Sequence, residues 1–213
     1  IEGLPWEQQL AHLKDPAFKA RMLSEANVFP ESDIAELLKI LGQYERAEYY
    51  YAQVLTIRRR VLEPNDCKIA LAMNNLAGLY AAKKDYDRAS DAYLSALAIY
   101  SNSLAANHLA VVQTLNNLAA IYEVQNKYNE AELFYIKAFE IYKSVPQRND
   151  IEYAKLVNNY AMLKFRQGAF KECEKLLVEA SRIAEPLLGA DHPDVVNITQ
   201  NLASCRQKLK ARN

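Results

Sequence analysis

Glycine and proline are scarce in this 213-residue chain, with 5 and 7 positions respectively. Tight turns are therefore few, and no flexible linker divides the chain. Runs of β-branched residues are absent, which argues against a sheet. No apolar stretch approaches the roughly 18 residues of a membrane-spanning helix, so membrane insertion is not expected. The chain lacks net charge, with 26 basic and 26 acidic side chains. It thus offers no electrostatic footprint for nucleic acid or an anionic membrane surface. Cys67, Cys173 and Cys205 are odd in number and far apart, which suits neither a disulfide framework nor a zinc cluster. A reducing, cytoplasmic setting is the expectation. The sequence opens at Ile1 with neither an initiator Met nor a signal-peptide pattern, and so reads as a fragment or a processed chain. It contains no nucleophile–base set, phosphate loop or metal-ligand spacing. Neither an enzyme nor a cofactor or metal is expected.

The long segments are filled by Ala, Leu, Glu, Lys and Gln, which favour helix. Against that background, asparagine pairs recur at Asn74-Asn75, Asn116-Asn117 and Asn158-Asn159, in steps of 42 residues. Further steps reach Gln200-Asn201 and Ser32-Asp33. Asparagine costs about 0.5 kcal/mol or more against alanine inside a helix, so the repetition calls for a reason.

Other positions keep the same period. Apolar and small residues follow each pair: Ile34-Ala35, Leu76-Ala77, Leu118-Ala119, Tyr160-Ala161 and Leu202-Ala203. Tyr44, Tyr86, Tyr128 and Phe170 fall in step, as do Ala47, Ala89, Ala131 and Cys173, and then Tyr51, Tyr93, Tyr135 and Leu177. Periods of roughly 20–50 residues signal a solenoid. Asn65, Asn107, Asn149 and Asp191 share the period and suit helix N-caps. The asparagine pairs therefore lie inside the helices, and capping does not explain them. First helices are expected to end near Gly42, Lys84, Asn126 and Gly168, and a second helix follows each. The predicted unit is two antiparallel helices joined by a tight turn.

Leu115, Leu118, Ala119, Tyr122, Ala131 and Tyr135 reproduce the spacing of the tetratricopeptide repeat. The 42-residue unit, with "LNNLA", "KYNEAELFY" and "LGADHPDVV", resembles the longer repeats of kinesin light chains. The resemblance implies an all-α, right-handed superhelical solenoid of antiparallel helix pairs. Four pairs are expected over 30–190 (about 30–64, 65–106, 107–148 and 149–190), with a capping helix over 191–213. Residues 1–29, broken at Asp15-Pro16, read as an N-terminal helical cap. Glu31 and Arg206 replace the core residues Leu115 and Tyr122 of the inner repeats, which suggests edges facing water.

The resemblance also implies that first helices line the concave face. Helical spacing then gathers a candidate peptide-binding groove from Asn74, Asn75, Gly78, Ala82, Gln113, Asn116, Asn117, Ala120, Glu123, Lys155, Asn158, Asn159, Met162 and Arg166. In kinesin light chains such concave asparagines contact cargo peptides, an implication that extends to the three Asn pairs. The same asparagines are equally suited to bonding across neighbouring helices and fixing the stack. Five Asx rungs at about 10 Å spacing would accommodate about a dozen extended residues. The two-carboxylate clamp of other family members is not expected, because its Lys-Asn element is missing; Lys155 and Arg166 remain candidates to hold one acidic group.

His12, His108 and His192 are dispersed; His108 and His192 fall at equivalent junctions and suit turn or cap duty, and Cys173 and Cys205 suit the core. Arg58, Arg59 and Arg60 suit a helix C-terminus. Tyr49, Tyr50, Tyr100 and Tyr142 are candidates for an exposed convex surface. The expected function is a scaffold or adaptor that holds a peptide or partner protein, with a monomer favoured. Its alternatives are a regulatory or sensory domain whose groove holds its own chain or a signalling peptide, and an element that stacks through its ends.

Overall fold

A computed structural model describes residues 29–102, 109–145 and 150–211. The expected N-terminal cap over 1–29 and the caps at Asn107 and Asn149 fall almost wholly outside these residues. Nine α-helices and no strand occur among the described residues. They are α1 (Phe29–Ile40), α2 (Tyr44–Val61), α3 (Cys67–Ala82), α4 (Tyr86–Asn102), α5 (Leu109–Val124), α6 (Tyr128–Ser144), α7 (Asp150–Arg166), α8 (Phe170–Leu188) and α9 (Pro193–Lys210). Each odd helix packs against the even helix that follows it, and each even helix against the next odd one. The odd helices α3, α5, α7 and α9 also touch one another in succession.

The turns within the pairs share one geometry. Gly42, Lys84, Asn126 and Gly168 all adopt left-handed backbone, with φ of 73°, 62°, 60° and 78°. After each, an N–H returns to a carbonyl five residues back, as from Gln43 to Leu38 and from Asp85 to Tyr80. Glycine adopts this conformation without a Cβ penalty and Asn tolerates it, whereas Lys84 adopts it at a cost.

The observed caps lie one residue beyond the expected Asx positions. Asp66, and not Asn65, accepts from the Lys68 N–H at 2.7 Å. His192, and not Asp191, accepts from the Asp194 N–H at 3.2 Å through Nδ1, with Pro193 opening the helix. The two caps lie 126 residues apart, three steps of 42, so the period survives the shift.

The repeated small residues let the helices approach closely. Ala47, Ala89, Ala131 and Cys173 are fully buried, as are Ala35, Ala77, Ala119 and Ala161. The bulky slot holds Tyr51, Tyr93, Tyr135 and Leu177, all buried. A contiguous core runs from α1 to α7, and a second cluster joins α7, α8 and α9. Burial of Cys173 and Cys205 agrees with their expected core role; the Cys205 thiol donates to the Phe170 carbonyl at 3.2 Å.

Several edge expectations are corrected. Glu31 is buried, and only Arg206 faces water, paired with Glu174 at 2.8 Å. Tyr49 is exposed, but Tyr100 and Tyr142 are buried in the seam between helices. Arg58 also turns inward and donates to the Lys68 carbonyl at 2.6 Å, tying α2 to α3. Among the described residues, no helix is long and apolar enough to cross a membrane.

Candidate functional site: an amide-lined groove on the odd helices

The odd helices expose one polar face along the array. A cavity of about 430 Å³ opens there, lined by Asn74 of α3, by Gln113, Asn116 and Asn117 of α5, by Glu152, Lys155, Asn158 and Asn159 of α7, and by Asp194, Asn197 and Ile198 of α9. Every lining residue comes from an odd helix. Half of the candidate residues converge here: Asn74, Gln113, Asn116, Asn117, Lys155, Asn158 and Asn159.

The asparagines of successive repeats are wired in one direction. The Asn159 amide donates from Nδ2 to Asn116 Oδ1 at 3.1 Å, and Asn201 Nδ2 donates to Asn158 Oδ1 at 3.0 Å. The second Asx of one repeat thus supplies the first Asn of the repeat before it. Within α7, Asn158 Nδ2 donates to Asn159 Oδ1 at 3.3 Å, and within α9, Asn201 donates to Asn197 at 3.2 Å. Asn158 uses both ends of its amide and is buried.

The rung between α3 and α5 is built differently. Thr114 stands in a slot that is Ala72, Leu156 and Ile198 elsewhere. Its buried hydroxyl shares its proton between the Ala110 carbonyl at 2.7 Å and Asn74 Oδ1 at 2.9 Å. Asn117 donates instead to the Tyr93 hydroxyl. Burial pushes the Tyr93 hydroxyl up to about 12, and the Asn117 bond opposes that shift.

Seven candidates lie off the cavity: Asn75, Gly78, Ala82, Ala120, Glu123, Met162 and Arg166. A Cβ built on Gly78 would meet the Tyr93 hydroxyl at 3.7 Å, so this glycine faces the second helix. Glu123 is buried and bound by Arg166, Nε to Oε1 at 2.5 Å, and Tyr135 donates to its other oxygen at 3.4 Å. Burial raises the Glu123 carboxyl above its ordinary value, and Arg166 opposes the rise. Arg166 is therefore already committed to a carboxylate of this chain. So is Lys155, which sits 3.3 Å from Asp194 Oδ2 and 3.7 Å from Glu152 Oε1. The expectation that these two cations share an external acid does not suit this arrangement.

Glu152, Asp194, Asn197 and Ile198 line the cavity without having been singled out in the sequence. The period carried the signal, since Asn197 stands two steps after Gln113 and one after Lys155, and Asp194 one step after Glu152. No group of three His, Cys, Asp or Glu that could hold a metal occurs among the described residues.

The family model of the tetratricopeptide repeat matches residues 30–102, 68–144 and 152–212. The chain belongs to the tetratricopeptide repeat family. Repeats of this family generally mediate protein–protein interaction. Among solved structures, BtubC (BKLC) from P. vanneervenii is similar at TM-score 0.78 and 22% identity, over 97% of this chain and 85% of that one. A putative kinesin light chain from Podosopora anserina with nearly identical TPR-like repeats is similar at TM-score 0.69 and 20% identity, over 86% of this chain and 87% of that one. At such identities the likeness concerns the fold: an all-α repeat array like that of kinesin light chains. No curated protein sequence matches the chain.

Proposed function

We propose that this domain is a non-enzymatic scaffold that holds an extended peptide segment of a partner protein in the groove of its odd helices. The observation that carries the reading is the cavity itself. It is about 430 Å³, open to solvent, and lined by side-chain amides from four successive odd helices, a row that helix stability alone does not favour. Amides offer both donors and acceptors, so they can pair with a peptide backbone of almost any sequence. The three cysteines are free thiols, which supports a reducing, cytoplasmic setting, and we expect a monomer.

The test uses Gln113 and Lys155, which line the groove and take no part in the Asn–Asn rungs. An array of synthetic twelve-residue peptides of random sequence is probed with the intact domain. Selected peptides are then titrated in solution against wild type and a Gln113→Ala/Lys155→Ala variant. The expected result is at least a tenfold loss of affinity in the variant, about what one or two hydrogen bonds provide, with helical circular dichroism unchanged. Equal affinity for both proteins would overturn the groove reading.

A further inference from the structure

We propose that Cys173 and Cys205 form a thiol–disulfide pair that, once oxidised by hydrogen peroxide, locks α9 onto α8. The lock is a property of this helix seam and stands whether or not the groove holds a peptide.

Each of the three earlier seams places a small buried residue on the even helix and a branched buried one 32 positions later on the next odd helix: Ala47 and Leu79, Ala89 and Ile121, Ala131 and Leu163. In the last seam both members of this repeated couple are cysteine, Cys173 on α8 and Cys205 on α9. Both are fully buried free thiols within one apolar cluster. The Cys205 thiol reaches the carbonyl of Phe170 at 3.2 Å, one turn before Cys173 on α8. The two thiols are also in hydrogen-bonding contact with each other. An S–S bond of about 2.05 Å therefore needs only a small closing of the seam.

The helix best placed to move is α9, which packs on α8 and touches α7. Val157 and Ala161 of α7 are buried, whereas their equivalents Thr199 and Ala203 of α9 are exposed. A helix with fewer buried contacts opens at lower cost. Closed, the pair is inert, because burial and the neighbouring thiol raise Cys173 above its ordinary value and keep it protonated. Opened, the Cys205 thiolate attacks one oxygen of hydrogen peroxide. The O–O bond breaks, the other oxygen leaves as water after taking a proton, and Cys205 becomes a sulfenic acid. As α9 closes, the Cys173 sulfur attacks the Cys205 sulfur. The S–O bond breaks, and a second water leaves with the Cys173 proton. Two thiols thus lose two electrons and two protons, and the peroxide gains them. Because α9 brings Asp194, Asn197 and Ile198 to the cavity and Asn201 to the Asn158 rung, the lock holds that end of the groove in place.

The test needs only the wild-type chain. It is incubated with hydrogen peroxide until the amides of α9, followed by hydrogen exchange in a parallel sample, have exchanged. Remaining thiols are alkylated, and the protein is mapped by mass spectrometry without reduction. The expected product is a Cys173–Cys205 cross-link that leaves Cys67 out and is released by dithiothreitol. The cross-linked protein should exchange its α9 amides at least about tenfold more slowly than the reduced protein, and should melt about 5 °C or more higher. A Cys173→Ala/Cys205→Leu variant restores the residues of the inner seams and should show neither response to peroxide. Cys173 and Cys205 that stay reduced, or that end as separate sulfinic acids, would overturn the proposal. So would a cross-linked protein whose α9 exchanges as fast as the reduced form, or a response to peroxide that persists in the double variant.

Discussion

The side-chain amide of Asn159 donates to Asn116 Oδ1, 3.1 Å away, from one odd helix to the one before it. Asn201 repeats the relationship with Asn158 at 3.0 Å. Neighbouring residues on a helix are turned by about 100° from each other, so one Asn of a pair can look back along the stack while the other receives from ahead. This accounts for two asparagines where one would not suffice.

Replacing Asn159 by Asp sets two acceptors against each other across that rung. The expected loss is about 1–3 kcal/mol, the cost of a poorly satisfied, partly buried polar group, seen as a lower urea midpoint at unchanged slope. Asn116→Asp keeps the rung and should leave the midpoint within about 0.5 kcal/mol of wild type. Equal losses in the two variants would count against a directional ladder.

The repeat architecture was legible because it rests on local chemistry. Gly42, Asn126 and Gly168 end helices for reasons contained in single residues, and the alanine and tyrosine slots mark the core by their spacing. Half of the groove was legible for the same reason, since residues on one helical face stay together. What each of these side chains meets depends instead on partners on other helices. Glu123 finds Arg166 across two helices, and Lys155 finds Asp194. Gly78 is expected on the groove face, and its free side meets Tyr93 instead. Helical periodicity places a side chain on a face, but the neighbour occupying that face is set by tertiary packing.

Gly78 therefore yields a stabilising substitution. Its backbone is helical, and an added Cβ would stand 3.7 Å from the Tyr93 hydroxyl, an ordinary contact. Alanine removes the conformational penalty of glycine within a helix. Gly78→Ala should stabilise the domain by about 0.5–1 kcal/mol in thermal or urea unfolding. A destabilised variant would show that the Tyr93–Asn117 contact needs the empty space.

Lys84 invites the opposite change. It holds φ of 62° in a turn where the equivalent residues of two other repeats are glycine. Its side chain is exposed, so substitution removes little packing. Lys84→Gly should raise stability by up to about 1 kcal/mol, the strain that an L-residue carries in this region. No gain in the urea midpoint would mean that the freedom glycine confers on the unfolded chain cancels the relief.

Glu132 gathers Gln167 at 3.0 Å, Lys164 at 2.5 Å and Tyr160 at 3.1 Å. The hydrogen bonds from Gln167 and Lys164 hold its carboxyl below the ordinary value of 4.5. A lowered folded-state value contributes stability that is fully present above 4.5 and is lost as pH falls through the folded value. Glu132→Gln should thus cost about 1–3 kcal/mol at pH 7, where the buried Lys164 loses its nearer carboxylate and keeps only Glu172 at 3.8 Å. The deficit should shrink in acid. A deficit independent of pH in urea titrations would contradict the linkage.

The Glu123–Arg166 pair predicts the reverse slope. Burial already raises Glu123, and the nearby guanidinium limits the rise. In an Arg166→Met variant that opposing charge is gone, so the carboxyl should rise further. A raised folded-state value destabilises fully at pH above it, and the penalty is released as pH falls through it towards the ordinary 4.5. Arg166→Met should therefore lose about 1–3 kcal/mol near neutral pH, where a buried carboxylate is stranded, and should recover part of that loss in mild acid. Adding Glu123→Gln removes the stranded charge and keeps an acceptor for the Tyr135 hydroxyl, which stands at 3.4 Å from the native carboxylate. The double variant should be more stable than Arg166→Met alone at pH 7. If it is not, the loss comes from the packing of the arginine stem, and the ion pair is not what ties α5 to α7 here.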